Sequence, residues 1–166
     1  MPRNFMFYII FFIGILLDQS VKIFVRKTME LGQSIRVIDD FFKITYIENE
    51  GVAFGIGQGN VILMYIMPLI FLVSGYYLWY KYGDRYGKLI TVGAAMIISG
   101  GMSNLIDRLI FKSVTDYFDL RSFAVFNIAD ILVDVGMVMV IIAVFFSKEK
   151  LWIGFDRRVI TLFVPL

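Results

Sequence analysis

Four long runs in this chain carry almost no charge, and they limit what it can become. Phe5 to Leu17 continues through Asp18 and Lys22 to about Val25. Val61 to Tyr80 and Leu89 to Ile106 hold no charged residue, and Phe123 to Phe146 is interrupted by Asp130 and Asp134 alone. Each approaches the ~20 residues with which a helix crosses the hydrocarbon core of a bilayer. Composition agrees: 59% of the 166 residues are hydrophobic and 18% are charged, against ~25% charged in soluble domains. Mean hydropathy is +0.78. A soluble domain of this size leaves too much of its area in water to hide so much apolar surface. The fold class expected is an all-α membrane protein with four transmembrane helices. The first run lacks a small-residue cleavage site and the chain stays membranous after it, so it reads as a retained span.

Orientation follows from Lys and Arg in the short connections. Arg3 precedes the first span, Lys81, Arg85 and Lys88 fill the connection between the second and third, and Lys148, Lys150, Arg157 and Arg158 follow the fourth. In the segment from Arg26 to Asn60, basic residues are outnumbered by Glu30, Asp39, Asp40, Glu48 and Glu50. In the connection after Arg108, Lys112 and Arg121 are balanced by Asp116 and Asp119. Both termini are therefore expected in the cytoplasm. No linker divides residues 1–150, and residues 151–166 are expected to form a cytoplasmic, interfacial tail.

The first outer loop has strand character. Ser34 to Ile38 and Phe42 to Ile47 alternate or are rich in β-branched and aromatic residues, with Asp39-Asp40 as a turn between them. A small extracytoplasmic sheet is expected within about residues 30–58, and the glycines at 51, 55, 57 and 59 mark an irregular return into the second span.

The chain has no Cys and no His. Disulfides, thiol nucleophiles, zinc sites of the usual kind and a Ser-His triad are excluded, and the chemistry falls to carboxylates, Lys, Arg, hydroxyls and backbone groups. A net charge of +2 is too small to argue for nucleic acid.

Ionisable groups inside spans cost ~2.5–3.5 kcal/mol each on insertion scales, which makes each a functional candidate. Asp18 and Lys22 share a face near the end of the first span. Asn104, Asp107 and Arg108 are spaced three and four apart near the end of the third, Asp116 lies just beyond, and Asn127 and Asp130 open the fourth. All fall at the outer side, so several elements deliver polar groups to one depth. Structural readings stand beside the functional one. Asp18 with Lys22 is equally well a buried ion pair, and Asp107 with Arg108 reads first as a clamp at a helix end. Asn104 and Asn127 serve as interhelical hydrogen-bond glue, and Asp116 as a solvated loop residue. Asp130 has no basic residue of its own helix within a turn. Gly93, Ala94, Ala95, Ser99, Gly100, Gly101 and Ser103 are read as packing surface. Tyr76, Tyr77, Trp79, Tyr80 and Tyr82 are read as an interfacial belt.

These acidic groups lie within five short motifs: Asp18-Gln19-Ser20-Val21-Lys22, Asn49-Glu50-Gly51-Val52-Ala53-Phe54, Gly100 to Arg108, Val114-Thr115-Asp116-Tyr117 and Phe126-Asn127-Ile128-Ala129-Asp130. In this order, at these ends of the spans, they resemble the motifs of lipoprotein signal peptidase (signal peptidase II), across most of residues 5–147. The resemblance implies a β-cradle over four helices and an aspartic endopeptidase that removes the signal peptide of diacylglyceryl-modified bacterial prolipoproteins. It implies Asp116 and Asp130 as the catalytic pair. Asn49, Asn104, Arg108 and Asn127 would position the substrate and the pair, and Asp18, Lys22, Asp107 and Gly51 would brace the site. No metal or cofactor is expected, and the enzyme is expected to be a monomer among the lipids of the bacterial cytoplasmic membrane, its site near the outer face. A proton-coupled transporter with an Asp18, Asp107, Asp130 relay is the reading from another class. It predicts inverted repeats, and none is seen in the chain. A Ser20 and Lys22 peptidase fails on spacing, since residues two apart do not face each other on a helix.

Overall fold

In a computed structural model, residues 1–51, 60–121 and 123–147 are described. Residues 52–54 of the second motif, the glycines 55, 57 and 59, and residues 148–166, with their basic residues and the expected tail, lie outside the described residues.

Each apolar run is a helix long and apolar enough to cross a membrane. Helix α1 spans Arg3–Thr28, α2 Met67–Tyr82, α3 Gly87–Phe111 and α4 Ile128–Phe145. A π-helical turn, Ile62–Ile66, leads into α2. Asn60 caps it by accepting from the backbone N–H groups of Ile62 and Leu63 at 3.0 and 3.2 Å. The widened turn coincides with Pro68, which has no N–H for the ordinary i−4 bond and whose ring crowds that carbonyl.

Helix α3 is the hub: 56% of its most apolar window is buried, against 22% or less in the other three. Its small residues permit this. A Cβ on Gly93 would meet the Gly136 carbonyl at 2.7 Å, and one on Gly136 would meet the Gly93 carbonyl at 2.6 Å. Backbone-to-backbone approach of α3 and α4 therefore requires glycine at both positions, as in membrane helix pairs generally. Phe12, Leu16, Val73 and Ile141, on the other helices, are each more than half exposed, as befits side chains that face lipid. The aromatic group at the end of α2 is divided. Tyr77 and Tyr80 are exposed as expected of a belt, but Trp79 is buried. It stacks on Phe7 at 3.8 Å and donates to Thr91 Oγ1 at 3.2 Å.

Strands β1 (Ser34–Ile38) and β2 (Phe42–Asn49) form the expected hairpin, turning through Asp39 at φ 39°, a conformation Asp tolerates better than most residues. A third strand, β3 (Val114–Leu120), lies where the sequence reads as a loop with Asp116 solvated in it. It pairs antiparallel with β2, placing Asp116 opposite Ile47 and Thr115 opposite Glu48. The sheet therefore joins the connection between α1 and α2 to the connection between α3 and α4, which reverses through Lys112 at φ 63°.

Helix α4 begins later than its apolar run. Phe126 bridges to Phe118 of β3 instead, with N–H to carbonyl distances of 3.0 and 2.8 Å. Asn127 then caps the helix, because its side chain offers an acceptor to the first-turn N–H groups that a helix cannot satisfy itself.

Candidate functional site

Asp116 and Asp130 reach the site from different elements, and Asn127 connects them. Its Nδ2 donates to Asp116 Oδ1 at 2.6 Å and its Oδ1 accepts from the Asp130 backbone N–H at 3.0 Å. Its own N–H donates to Asp130 Oδ2 at 3.1 Å. The last two bonds form a capping box, so one carboxylate is held by the start of a helix while the same residue holds the other. Each carboxylate has a further amide donor: Asn49 Nδ2 to Asp116 Oδ2 at 3.1 Å, and Asn104 Nδ2 to Asp130 Oδ1 at 2.9 Å. Asn127 is fully buried, and its amide is spent on these bonds; among the predicted positioning residues it is the one absent from the cavity wall.

That cavity, about 810 Å³ in volume, lies beneath the sheet. Asn49, Gly51, Asn104, Arg108, Asp116 and Asp130 line it, together with Leu120, Phe123, Val125, Phe126 and Ile131. Arg108 donates to the Gly51 carbonyl at 3.2 Å, and its buried Nε has no hydrogen-bond partner among the described residues. Gly51 in turn donates its N–H to Asn49 Oδ1 at 3.0 Å. Burial pushes the Asp116 carboxyl up to about 7, and the nearby charge of Asp130 adds to this, while the hydrogen bonds from Asn49 and Asn127 pull the other way. Two carboxylates crowded in a poorly hydrated site do not both ionise readily, and they share a proton.

Behind the cavity lies a buried charge network. Lys22 Nζ contacts Asp18 Oδ2 at 2.7 Å, Asp107 Oδ2 at 3.0 Å and Asn104 Oδ1 at 2.8 Å, and the Lys22, Asp18 and Asp107 side chains are 0% exposed. Arg26 pairs with Asp107 at 2.9 Å, so two acids face two bases. Asp18 is also bound by Ser103 Oγ of α3 at 2.6 Å and by the Ala129 N–H of α4 at 2.9 Å. Tyr117 Oη accepts the next orphan donor, the Ile128 N–H, at 3.2 Å. The start of α4, and with it Asp130, is thus fixed by α1 and β3.

The expected clamp between Asp107 and Arg108 does not form. Consecutive helical residues point ~100° apart, so Asp107 turns toward α1 and Arg108 toward the cavity. Ser103, read as packing surface, is a hydrogen-bonding member of the network. Other members of the network have no role assigned from the sequence. Gln19 donates to Asp107 at 3.0 Å, and Thr115 accepts from Arg26 at 2.8 Å and donates to Glu48 at 3.1 Å. Tyr46 and Ser113 also donate to Glu48. Three of these carry a signal in the sequence: Gln19 and Thr115 lie within two of the motifs, and Arg26 lies four residues beyond Lys22 on the face it shares with Asp18. Ser20 is exposed while Lys22 is fully buried, so the alternative nucleophile pair is not assembled.

A family model described as Signal peptidase (SPase) II matches residues 10–146. The chain is 41% identical over 145 residues to a lipoprotein signal peptidase of Halothermothrix orenii, covering 87% of this chain and 98% of that one. It is 42% identical over 149 residues to a lipoprotein signal peptidase of Clostridioides difficile, covering 87% and 99%. A solved structure described as a bacterial membrane enzyme superposes with a TM-score of 0.79 at 30% identity, over 87% of this chain and 92% of the other. The match runs from α1 to the end of α4 and so takes in both carboxylates and the charge network behind them: this chain belongs to the signal peptidase II family, membrane proteases that process lipoprotein signal peptides.

Proposed function

We propose that this enzyme is an aspartic endopeptidase in which Asp116 and Asp130 act as one unit. It cuts the signal peptide from diacylglyceryl-modified prolipoproteins immediately before the lipid-bearing cysteine. What carries the reading is the bridge through Asn127, which holds two carboxylates from separate elements against one cavity. The ionised carboxylate takes a proton from water, and the water oxygen attacks the scissile carbonyl. The protonated carboxyl donates to the developing oxyanion. Collapse breaks the C–N bond, the nitrogen takes a proton, and a carboxylate and the amine of the cysteine are released. The proton belongs to the pair. Arg108, on the cavity wall, and Asn49 hold the substrate backbone; Asn104 and Asn127 orient the carboxylates. A lipid-bearing cysteine sits at headgroup depth, where helices meet sheet.

The direct test is incubation of the purified chain with a diacylglyceryl-modified prolipoprotein. Release of the signal peptide, with the cut mapped before the modified cysteine, is expected. A cut elsewhere, or none, overturns the proposal.

Residues 1–150 act as one catalytic unit, a monomer in the bacterial cytoplasmic membrane with both termini inside. Tags at residue 3, between Lys81 and Lys88 and after Lys150 are expected to report cytoplasm, and tags at Asp40 and Lys112 the outside. A cytoplasmic report from Asp40 reverses the orientation.

The pair also predicts a pH profile. Asp116 is held up to about 7, so the shared proton is retained below that and lost above it, and kcat/KM falls as pH rises past about 7. The Asn49 hydrogen bond favours the charged form of Asp116. Asn49→Ala is therefore expected to move the falling limb to higher pH. Losing its contacts also lowers kcat/KM, by about 1–3 kcal/mol in transition-state terms. An unmoved limb with unchanged kcat/KM would take Asn49 out of the site.

A further inference from the structure

Asp134 is a carboxylate that the chemistry above leaves unused. It lies four residues beyond Asp130 on α4, so the two share a helix face, and both line the cavity. Asp130 is held by Asn104 and by the capping box, whereas Asp18 and Asp107 are neutralised by Lys22 and Arg26. Asp134 differs from all of these: it is exposed, and among the described residues it has no hydrogen bond or ion pair. A carboxylate inside a membrane span without a partner in its own chain is costly, and the cavity it faces is where the substrate lies. The cavity lining is largely apolar, with Phe123, Val125 and Ile131 among its side chains, so a donor arriving with the substrate would gain in Asp134 an acceptor that no group of the described chain already occupies.

The distance along the helix sets which substrate residue this is. Four residues of α-helix advance ~6 Å, about the length of two residues of extended peptide at ~3.3 Å each. The sheet meets the N-terminal end of α4, so Asp134 lies on the side of Asp130 away from it, which in the proposed orientation is the side of the signal segment within the membrane. Resting on the proposed cleavage reaction, we infer that Asp134 is a specificity-determining residue, accepting a hydrogen bond from the side chain about two residues before the scissile bond. The enzyme then favours a hydroxyl- or amide-bearing residue there over an apolar one of equal size, because a site built around a polar partner is penalised when the partner is missing.

Thr and Val are near-isosteres, so diacylglyceryl-modified prolipoproteins carrying one or the other at that position isolate the hydrogen bond. The parent enzyme is expected to cleave the Thr substrate with kcat/KM about tenfold above the Val substrate. Asp134→Val is expected to bring the ratio to about one or below. Asp134→Asn, which keeps an acceptor oxygen, should retain part of the preference. A general loss of folding lowers both rates together and leaves the ratio alone, so the ratio separates recognition from stability. A Thr:Val ratio near one in the parent, or a preference that survives Asp134→Val, overturns the inference. A parent that cleaves neither substrate overturns the proposed reaction itself.

Discussion

Asp116→Asn and Asp130→Asn are each expected to lower cleavage by roughly 10²–10⁴-fold, the contribution of a positioned acid or base. Asparagine keeps the shape of the side chain, but it cannot take a proton from water or share one with its neighbour. Both carboxylates accept two or more hydrogen bonds. Each variant therefore turns one contact into a donor facing a donor, at a cost of about 1–3 kcal/mol. That is far too little to explain the loss of rate by unfolding. Because the two groups act together, the double variant should be scarcely slower than either single one. The measurement is turnover of a diacylglyceryl-modified prolipoprotein beside thermal unfolding in detergent. Near-parental cleavage by Asp130→Asn would end the assignment of the pair and return the relay reading to consideration.

The largest effect on stability is expected at Lys22. Its ammonium group meets Asp18, Asp107 and Asn104 with no exposure to solvent, so all three of its donors are used. Lys22→Met keeps the length of the side chain and removes the charge. Arg26 is left to balance Asp107, and Asp18 stays buried without a cation. Breaking a buried pair from one side costs about 3–5 kcal/mol, and here the orphaned acid is also the one that binds the Ala129 N–H at the start of α4. Unfolding is expected at markedly lower temperature, with activity falling as α4 loses its anchor. Adding Asp18→Asn to Lys22→Met should recover part of the stability, since it removes the stranded charge and keeps an acceptor for Ala129. A Lys22→Met protein as stable as the parent would show that the network contributes little.

Much of the architecture was legible because partition between water and lipid is summed over one continuous segment. Val61 to Tyr80 and Leu89 to Ile106 announce themselves without reference to anything else in the chain, and both are helices here. The β1–β2 hairpin was legible for a similar reason, its alternation and turn lying within one stretch. The five motifs marked the residues that converge, and Asn49, Asn104, Arg108, Asp116 and Asp130 do line one cavity.

What each of those residues touches was decided by the tertiary structure. Val114–Leu120 is a strand because β2 lies alongside to receive its hydrogen bonds; its own residues read equally well as a loop. Asp107 turns to Lys22 and Arg26 instead of Arg108 because helix geometry separates neighbours in sequence and close packing brings α1 alongside α3. Helix α4 starts at Ile128 because Asn127, Asp18 and Tyr117 satisfy its first N–H groups there, while Phe126 just before it bridges to β3. Hydropathy belongs to the segment and survives in the sequence. A hydrogen bond belongs to two groups distant in the chain, and it exists only once folding has set their directions.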